Sequence, residues 1–289
     1  MRHPSEFTAL EWLELLPLRH AAKQLRNDAW LSFYYSKRPA QLDAFLDSQS
    51  HLAGKSIAAV IAFEQPWALN WLLRMAKRNV SDTNVLVFDN SRDHAKRRDI
   101  ERACNDNGVA YLGLPANPTT HVNRSHGMAM SWVYRNVIRA IRPRSFGFLD
   151  HDLIPVRKAT VADKLENQPI YGLVNVGKFG FWSLWAGYSF FDFALTTGKS
   201  INFLYDFSRD LDTGGRNWNS LYRDIDRTTM RLAVSLQVEM SVPSLGISRP
   251  VQFIDRSWLH LGGISYNDTL RDRMAFFEGL EEWSESASS

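Results

Sequence analysis

Three apolar runs of strand length, each delivered into an acidic residue, constrain this chain more than any other feature. Ile57 to Phe63 ends at Glu64, Val85 to Phe88 at Asp89, and Phe146 to Leu149 at Asp150. Unbroken apolar runs, rather than alternation, belong to strands buried on both faces, as in a parallel sheet covered by helices. The stretches between them are helical in pattern. Pro66 opens one from about Trp67 to Arg78, and a charged one stops near Gly108. In "GMAMSWVYRNVIRAIRP", Met130, Val133, Val137 and Ile141 share one face, with Arg135, Arg139 and Arg142 opposite as a solvated face. "VAYLGLP" adds a short strand. This order predicts an α/β fold with a mainly parallel sheet flanked by helices. Ligands of such sheets bind at the carboxyl ends of the strands, where Glu64, Asp89, Asp150 and Asp152 fall.

The most demanding stretch is "RSFGFLDHDLIPVRK", Arg144 to Lys158. An ionised carboxylate at a buried strand end is costly unless something cationic meets it. Two aspartates flanking one residue on an extended strand point to the same side, so Asp150 and Asp152 can share a divalent cation. The plainer alternative is a pair of strand-end carboxylates that cap helices or pair with Arg157.

The rest of the chain sets bounds. Its 289 residues suffice for one large domain, and 45% hydrophobic with 22% charged residues is ordinary for a globular protein. We expect a helical N-terminal preface over 1–50, with Thr8 and Glu11 at capping-box spacing and Pro17 interrupting or kinking the pattern. The α/β half follows over 51–160, then a mixed C-terminal part over 161–280, and a fraying polar tail over 281–289. In that C-terminal part "PIYGLVNV" reads as a strand, "RTTMRLAVSLQVEM" as helix or strand, and "DTLRDRMAFFEGLEEW" as an amphipathic helix. The single cysteine, Cys104, excludes an intramolecular disulfide and a Cys-rich metal site. No run approaches the roughly 20 apolar residues of a membrane span. The expectation is a cytoplasmic protein, and a formal net charge of +3 leaves peripheral association with the inner membrane surface open. No nucleic-acid-binding motif accompanies the arginine face.

Residues 55 to about 160, with weaker signals to about 265, resemble a nucleotide-sugar-dependent glycosyltransferase of the A-type (GT-A) fold, in the family-two-like bacterial group. "VLVFDNSRD" resembles that family's second strand, "FGFLDHDLIPV" its Asp-x-Asp strand, "DLDTGGRNW" an acidic segment of some bacterial members, and "SWLHLGGISY" a late histidine-containing segment. The first strand departs from the pattern by ending in Phe63-Glu64, and no Glu-Asp pair marks a catalytic base. The resemblance implies a nucleotide-diphosphate sugar donor, an Mn²⁺ or Mg²⁺ cofactor, and a saccharide or lipid-linked acceptor bound by the C-terminal part. By the same resemblance Asp152 binds the metal, Asp150 the ribose or a metal-bound water, Asp89 the base or ribose with Glu64 in the same pocket, and His260 completes the metal site.

Each of these residues has a plainer reading as well. Asp89-Asn90-Ser91 suits a helix N-cap, Glu64 a solvated turn, and His260 a hydrogen-bonded structural histidine. His126, ahead of Gly127 at a helix start, is placed to face a diphosphate through the helix N-terminus, or is a loop histidine. Asp212, heading "DTGG", is the candidate general base, with Asp206 and Asp210 competing and an ordinary turn as the alternative. Trp182, Trp185, Tyr188, Phe190 and Phe191 form either an acceptor wall or core. Two other classes remain: a phosphohydrolase of the haloacid dehalogenase type, which carries Asp-x-Asp on its opening strand, and a non-catalytic carbohydrate-binding protein on the same fold.

Overall fold

A computed structural model describes residue 8, residues 16–264 and residues 273–287. Among the described residues ten strands form two sheets. The larger is built from β1 (Ser56–Ala62), β2 (Asn84–Asp89), β3 (Ala110–Gly113), β4 (Ser145–Asp150), β6 (Ile170–Val176) and β7 (Trp182–Asp192), in the order β3-β2-β1-β4-β7-β6. The first four are mutually parallel, and β7 and β6 close that edge antiparallel. The smaller sheet is antiparallel, with order β5-β10-β9-β8, from β5 (Leu153–Pro155), β8 (Ser235–Val242), β9 (Ile247–Ile254) and β10 (Trp258–His260). The ambiguous "RTTMRLAVSLQVEM" thus resolves into a 3-10 turn, Arg227–Thr229, and then β8.

From residue 16 on, the preface is helical: α1 (Leu16–Ser36), α2 (Leu42–Gln49) and a 3-10 turn, Ser50–Leu52. Pro17 is the second described residue of α1, and the residues before it, where the expected interruption would lie, are outside the described residues. Glu11, half of the expected capping box, lies outside the described residues. The crossover helices are α3 (Pro66–Asn79), α4 (His94–Asn107) and α5 (Val122–Val133), the last continuing through a π turn, Tyr134–Ile138, to Ile141. Asp93 caps α4 by accepting from Ala95 and Lys96 N–H, and Gly108 ends it at φ 68°.

Each face of the large sheet is sealed by its own apolar cluster. Ala58, Val60 and Ala62 of β1 pack with Leu69 and Leu72 of α3, while Ile57, Ala59 and Ile61 pack with Met130 and Val133 of α5 and with Leu31 and Tyr34 of α1. The two-sided burial read from the unbroken β1 run is what the structure shows, with all seven residues buried.

The expected fraying tail over 281–289 is corrected for residues 281–287, and residues 288–289 lie outside the described residues. The final helix, α6 (Met274–Ala287), runs through 281–287 because its inner face is anchored. Arg74 of α3 makes ion pairs with Glu281 and Glu285, and Trp71 Nε1 donates to Ser284 Oγ at 3.0 Å inside the core. A segment polar by composition is held by three polar contacts whose partners lie far away in sequence.

Candidate active site

β4 ends at Asp150, in register with Ile61 of β1. The expected continuous strand through Asp152 does not form. The chain turns at His151-Asp152 and re-enters as β5, in the second sheet. β10 then pairs antiparallel with β5, which sets His260 opposite Leu153, and the Leu261 N–H donates to the Asp152 carbonyl at 3.0 Å. One carboxylate oxygen each from Asp150 and Asp152 and one ring nitrogen of His260 consequently lie within 4.8 Å of one another. Among the described residues this is the one such cluster of three or more acidic, histidine or cysteine side chains.

The histidine is prepared for coordination. Gln252 on β9 stands in cross-strand register with His260, and His260 Nδ1 donates to Gln252 Oε1 at 2.6 Å. Nε2 is left as the lone-pair nitrogen, 3.7 Å from Asp152 Oδ1. Two carboxylates and a neutral imidazole suit Mn²⁺ or Mg²⁺, whose ligands in octahedral geometry stand about 3 to 4 Å apart, so the residues present fit such an ion. The rim is tight: a Cβ on Gly187 would stand 2.3 Å from Asp150 Oδ2 and 2.4 Å from the Trp185 ring. Without an ion, burial first and the neighbouring Asp152 second push the Asp150 carboxyl up to about 6, with His260 and His151 opposing only when protonated.

These residues line a cleft of about 310 Å³ at the carboxyl ends of the parallel strands. His126 is among them, but not at a helix start. α5 begins at Val122, so His126 sits in its second turn and presents Nε2 to Asp150 Oδ1 at 3.6 Å instead of offering a free helix N-terminus to a diphosphate. Burial lowers it to about 4 against the pull of Asp212 and Asp152, which keeps the ring neutral near pH 7. The Nε2 atoms of His126 and His151 are buried without a hydrogen-bond partner, and His151 Nδ1 donates to Ile61 O at 3.3 Å.

Asp212 faces the same cleft, exposed, its Oδ1 accepting from Asn123 Nδ2 at 3.1 Å and from the Thr213 N–H at 2.7 Å. Its two competitors are elsewhere. Asp206 is buried and saturated by Ser208 and Arg209, and Asp210 pairs with Lys178 at 3.4 Å. Of the five candidate aromatics only Trp185 reaches the cleft, with its ring centroid 4.9 Å from that of His260; Trp182, Tyr188, Phe190 and Phe191 are core.

Asp89 and Glu64 are not brought to the cleft. Asp89 is fully buried, its oxygens taken by the Ser91 N–H at 2.8 Å and Tyr111 OH at 3.0 Å, with Arg97 at 3.6 Å; burial raises its pKa against those partners. Glu64, at φ 52°, accepts from the Arg92 and Asp93 N–H groups at 3.2 and 3.4 Å. Both residues shape the loop after β2, and it is Asn90 and Arg92 of that loop that line the cleft. Asn90 Nδ2 is fixed on Ser125 Oγ at 2.9 Å, and Arg92 on the Thr119 carbonyl. Within "DNSRD" the cleft is lined by Asn90 and Arg92 rather than Asp89, because a strand-end carboxylate facing inward reads in sequence like one facing out. Asn123 and Gln252 carried no motif, and His151 is the unspecified middle residue of Asp-x-Asp.

No protein-family model matches the chain, and no curated protein matches it. Among solved structures it is similar to S. aureus TarS, at 15% identity over 52% of this chain and 30% of that chain, TM-score 0.37. It is also similar to the mannosyltransferase PcManGT from Pyrobaculum calidifontis, in complex with GDP-Man and Mn²⁺, at 11% identity over 63% of this chain and 57% of that one, TM-score 0.34. A third is glucosyl-3-phosphoglycerate synthase from Mycobacterium tuberculosis, in complex with Mn²⁺ and UDP-glucose, at 15% identity over 58% of this chain and 65% of that one, TM-score 0.36. The chain spans less than two thirds of each of these three. At these identities and superpositions no residue's role passes from them to this protein.

Proposed function

We propose that this chain is a metal-dependent glycosyltransferase that moves a sugar from a nucleotide-diphosphate donor to an acceptor hydroxyl. The observation that carries the reading is the convergence of Asp150, Asp152 and His260, from two sheets, at the carboxyl ends of parallel strands, with Gln252 fixing the histidine tautomer. Asp150, Asp152 and His260 would hold Mn²⁺ or Mg²⁺, which when bound supplies positive charge to a departing diphosphate. Asn90 and Arg92 lie on the wall that the donor's nucleotide would occupy. Asp212 takes the acceptor's proton: it is exposed in the cleft and held by Asn123 and Thr213, so its free oxygen is oriented before substrate arrives. Trp185 offers an apolar face to a sugar ring beside His260. The donor half is then 51–160 and the acceptor half 161–280, the acceptor being a saccharide or a lipid-linked one.

The hydrolase reading loses its support from position, since Asp-x-Asp here closes the fourth strand in chain order and the first strand, β1, delivers Phe63-Glu64. Thermal melting with UDP, GDP, CMP and dTDP, each with and without Mn²⁺, tests the proposal. One nucleotide is expected to raise the melting temperature only when Mn²⁺ is present. If none does, and Mn²⁺ alone has no effect, a non-catalytic protein is the better account.

A further inference from the structure

The solvent side of α1 is apolar where a soluble helix should be polar. Leu18, Ala22, Leu25, Ala29 and Phe33 recur at spacings of three and four and share one face, with Leu18, Leu25 and Phe33 respectively 53%, 71% and 58% exposed. The opposite face, Asn27, Leu31 and Tyr34, is the one buried on the core. The stripe is about 22 Å long at 1.5 Å per residue. Arg19, Arg26 and Lys37 flank it on one side. On the other side lies a cavity of about 560 Å³ beside Ser32 and Tyr35, into which the π turn and the helical turn after it bring Arg135 and Arg139, and the loop after β7 brings Lys199. Among the described residues no carboxylate is within ion-pair distance of any of these six cations, and the one acid in the cavity, Asp28, is already paired with Arg216 at 2.5 Å.

We propose that this face docks on an anionic lipid bilayer, with the α1 stripe seated at the boundary between headgroups and acyl chains and the Arg135-Arg139-Lys199 cavity receiving a lipid phosphate. An apolar stripe bordered on both sides by cations that have no carboxylate partner among the described residues, three of them (Arg26, Lys37, Arg135) lying over the Trp30, Phe33 and Tyr35 rings, is the pattern of a helix lying in a membrane interface. A second copy of the chain is disfavoured by charge, because a symmetric contact would set one row of cations against the other. The side of α1 turned away from the stripe packs on the segment carrying Asp212, so the helix links the docked face to that segment. Asn27 Nδ2 donates to Tyr205 OH at 3.2 Å, Gln24 Nε2 to Asp206 Oδ1 at 3.2 Å, and Arg216 to Asp28. Resting on the reading of Asp212 as the acceptor's base, this favours a lipid-carried acceptor presented from the surface on which the enzyme sits.

The test is co-sedimentation of the whole chain with vesicles of phosphatidylcholine alone and of phosphatidylcholine mixed with phosphatidylglycerol. Binding is expected only to the anionic vesicles, weakening as salt rises. Leu25→Glu with Phe33→Glu, and separately Arg135→Glu with Arg139→Glu, are each expected to lower that binding about tenfold or more while leaving Mn²⁺-dependent nucleotide binding unchanged. That last measurement separates failure of the docking surface from failure of the proposed activity. Equal sedimentation with neutral vesicles, no loss in either variant, or a wild-type dimer in light scattering that the Leu25-Phe33 variant dissolves would each overturn the proposal.

Discussion

Gln252 and His260 face each other across adjacent antiparallel strands, and their side chains are joined by a 2.6 Å hydrogen bond that commits the imidazole Nδ1 as donor. The amide oxygen can only accept, so the second ring nitrogen is the basic one, and it is the one turned to Asp152. Outer partners of this kind typically govern metal affinity by 10- to 100-fold. Gln252→Leu should therefore weaken Mn²⁺ binding by about that factor with circular dichroism unchanged, and Gln252→Glu should restore it. Equal affinities in all three proteins would show that the tautomer is set by something else.

The two aspartates and the histidine should not be equivalent. Asp152 is the more buried carboxylate and contributes a formal charge, whereas a neutral imidazole can be replaced by water. Asp152→Asn is expected to abolish Mn²⁺-dependent nucleotide binding, and His260→Ala to reduce it less. Paramagnetic resonance of free Mn²⁺ reads both. A lowered melting temperature with unaltered Mn²⁺ affinity in His260→Ala would reduce that histidine to a structural role.

How much of this was legible beforehand follows from the range of each interaction. The parallel core, β1 to β4 with α3 to α5 between, could be read because unbroken apolar runs and helical periods are local signals. Asp150 and Asp152 could be read for the same reason, since one turn of chain positions both. Gln252 could not, because its meaning arises only when β9 pairs with β10 and β10 with β5. Asp89 misled: its inward direction is decided by Tyr111 and Arg97, from a later strand and helix. The tail misled likewise, its polarity satisfied by Arg74 and Trp71 of α3.

Metal affinity should carry the titration of Asp150. Burial and Asp152 hold its ion-free carboxyl up to about 6, and only the ionised form is a ligand. Above that pH no proton need leave when the ion binds, and affinity is flat. Below it one proton must be displaced, so the apparent association constant for Mn²⁺ should fall about tenfold per pH unit as pH drops. Calorimetry from pH 5 to 8 in two buffers of different ionisation enthalpy checks both the slope and the proton count. A break well below pH 5 would place Asp150 in the ordinary carboxylate range.

Gly187 tests whether the site's geometry is as tight as it looks. Alanine there would put a methyl group 2.3 Å from Asp150 Oδ2, so the carboxylate must move. Ligand sets displaced by about 1 Å lose much of their function, and Gly187→Ala should bind Mn²⁺ at least about tenfold more weakly while the parallel sheet stays intact. Affinity equal to wild type would mean that Asp150 has room the present packing does not use.

The assignment of the base makes the sharpest demand on chemistry. Three acids compete in the segment 206–212, and geometry separates them: Asp206 is saturated by Ser208 and Arg209, Asp210 turns to Lys178, and Asp212 alone lines the cleft with Asn123 and Thr213 fixing one oxygen. A positioned base typically contributes 10²- to 10⁴-fold in rate. Asp212→Asn keeps the shape and the Thr213 contact, so donor binding measured by thermal shift should be unchanged while transfer to the acceptor falls by about that factor. Slow hydrolysis of the donor by water should change little, because water need not enter from the acceptor side. Asn123→Ala should produce a smaller loss in the same direction, since it releases the carboxylate without removing it. Near-normal transfer by Asp212→Asn would remove the base from this segment, and a product with retained anomeric configuration would remove the need for one.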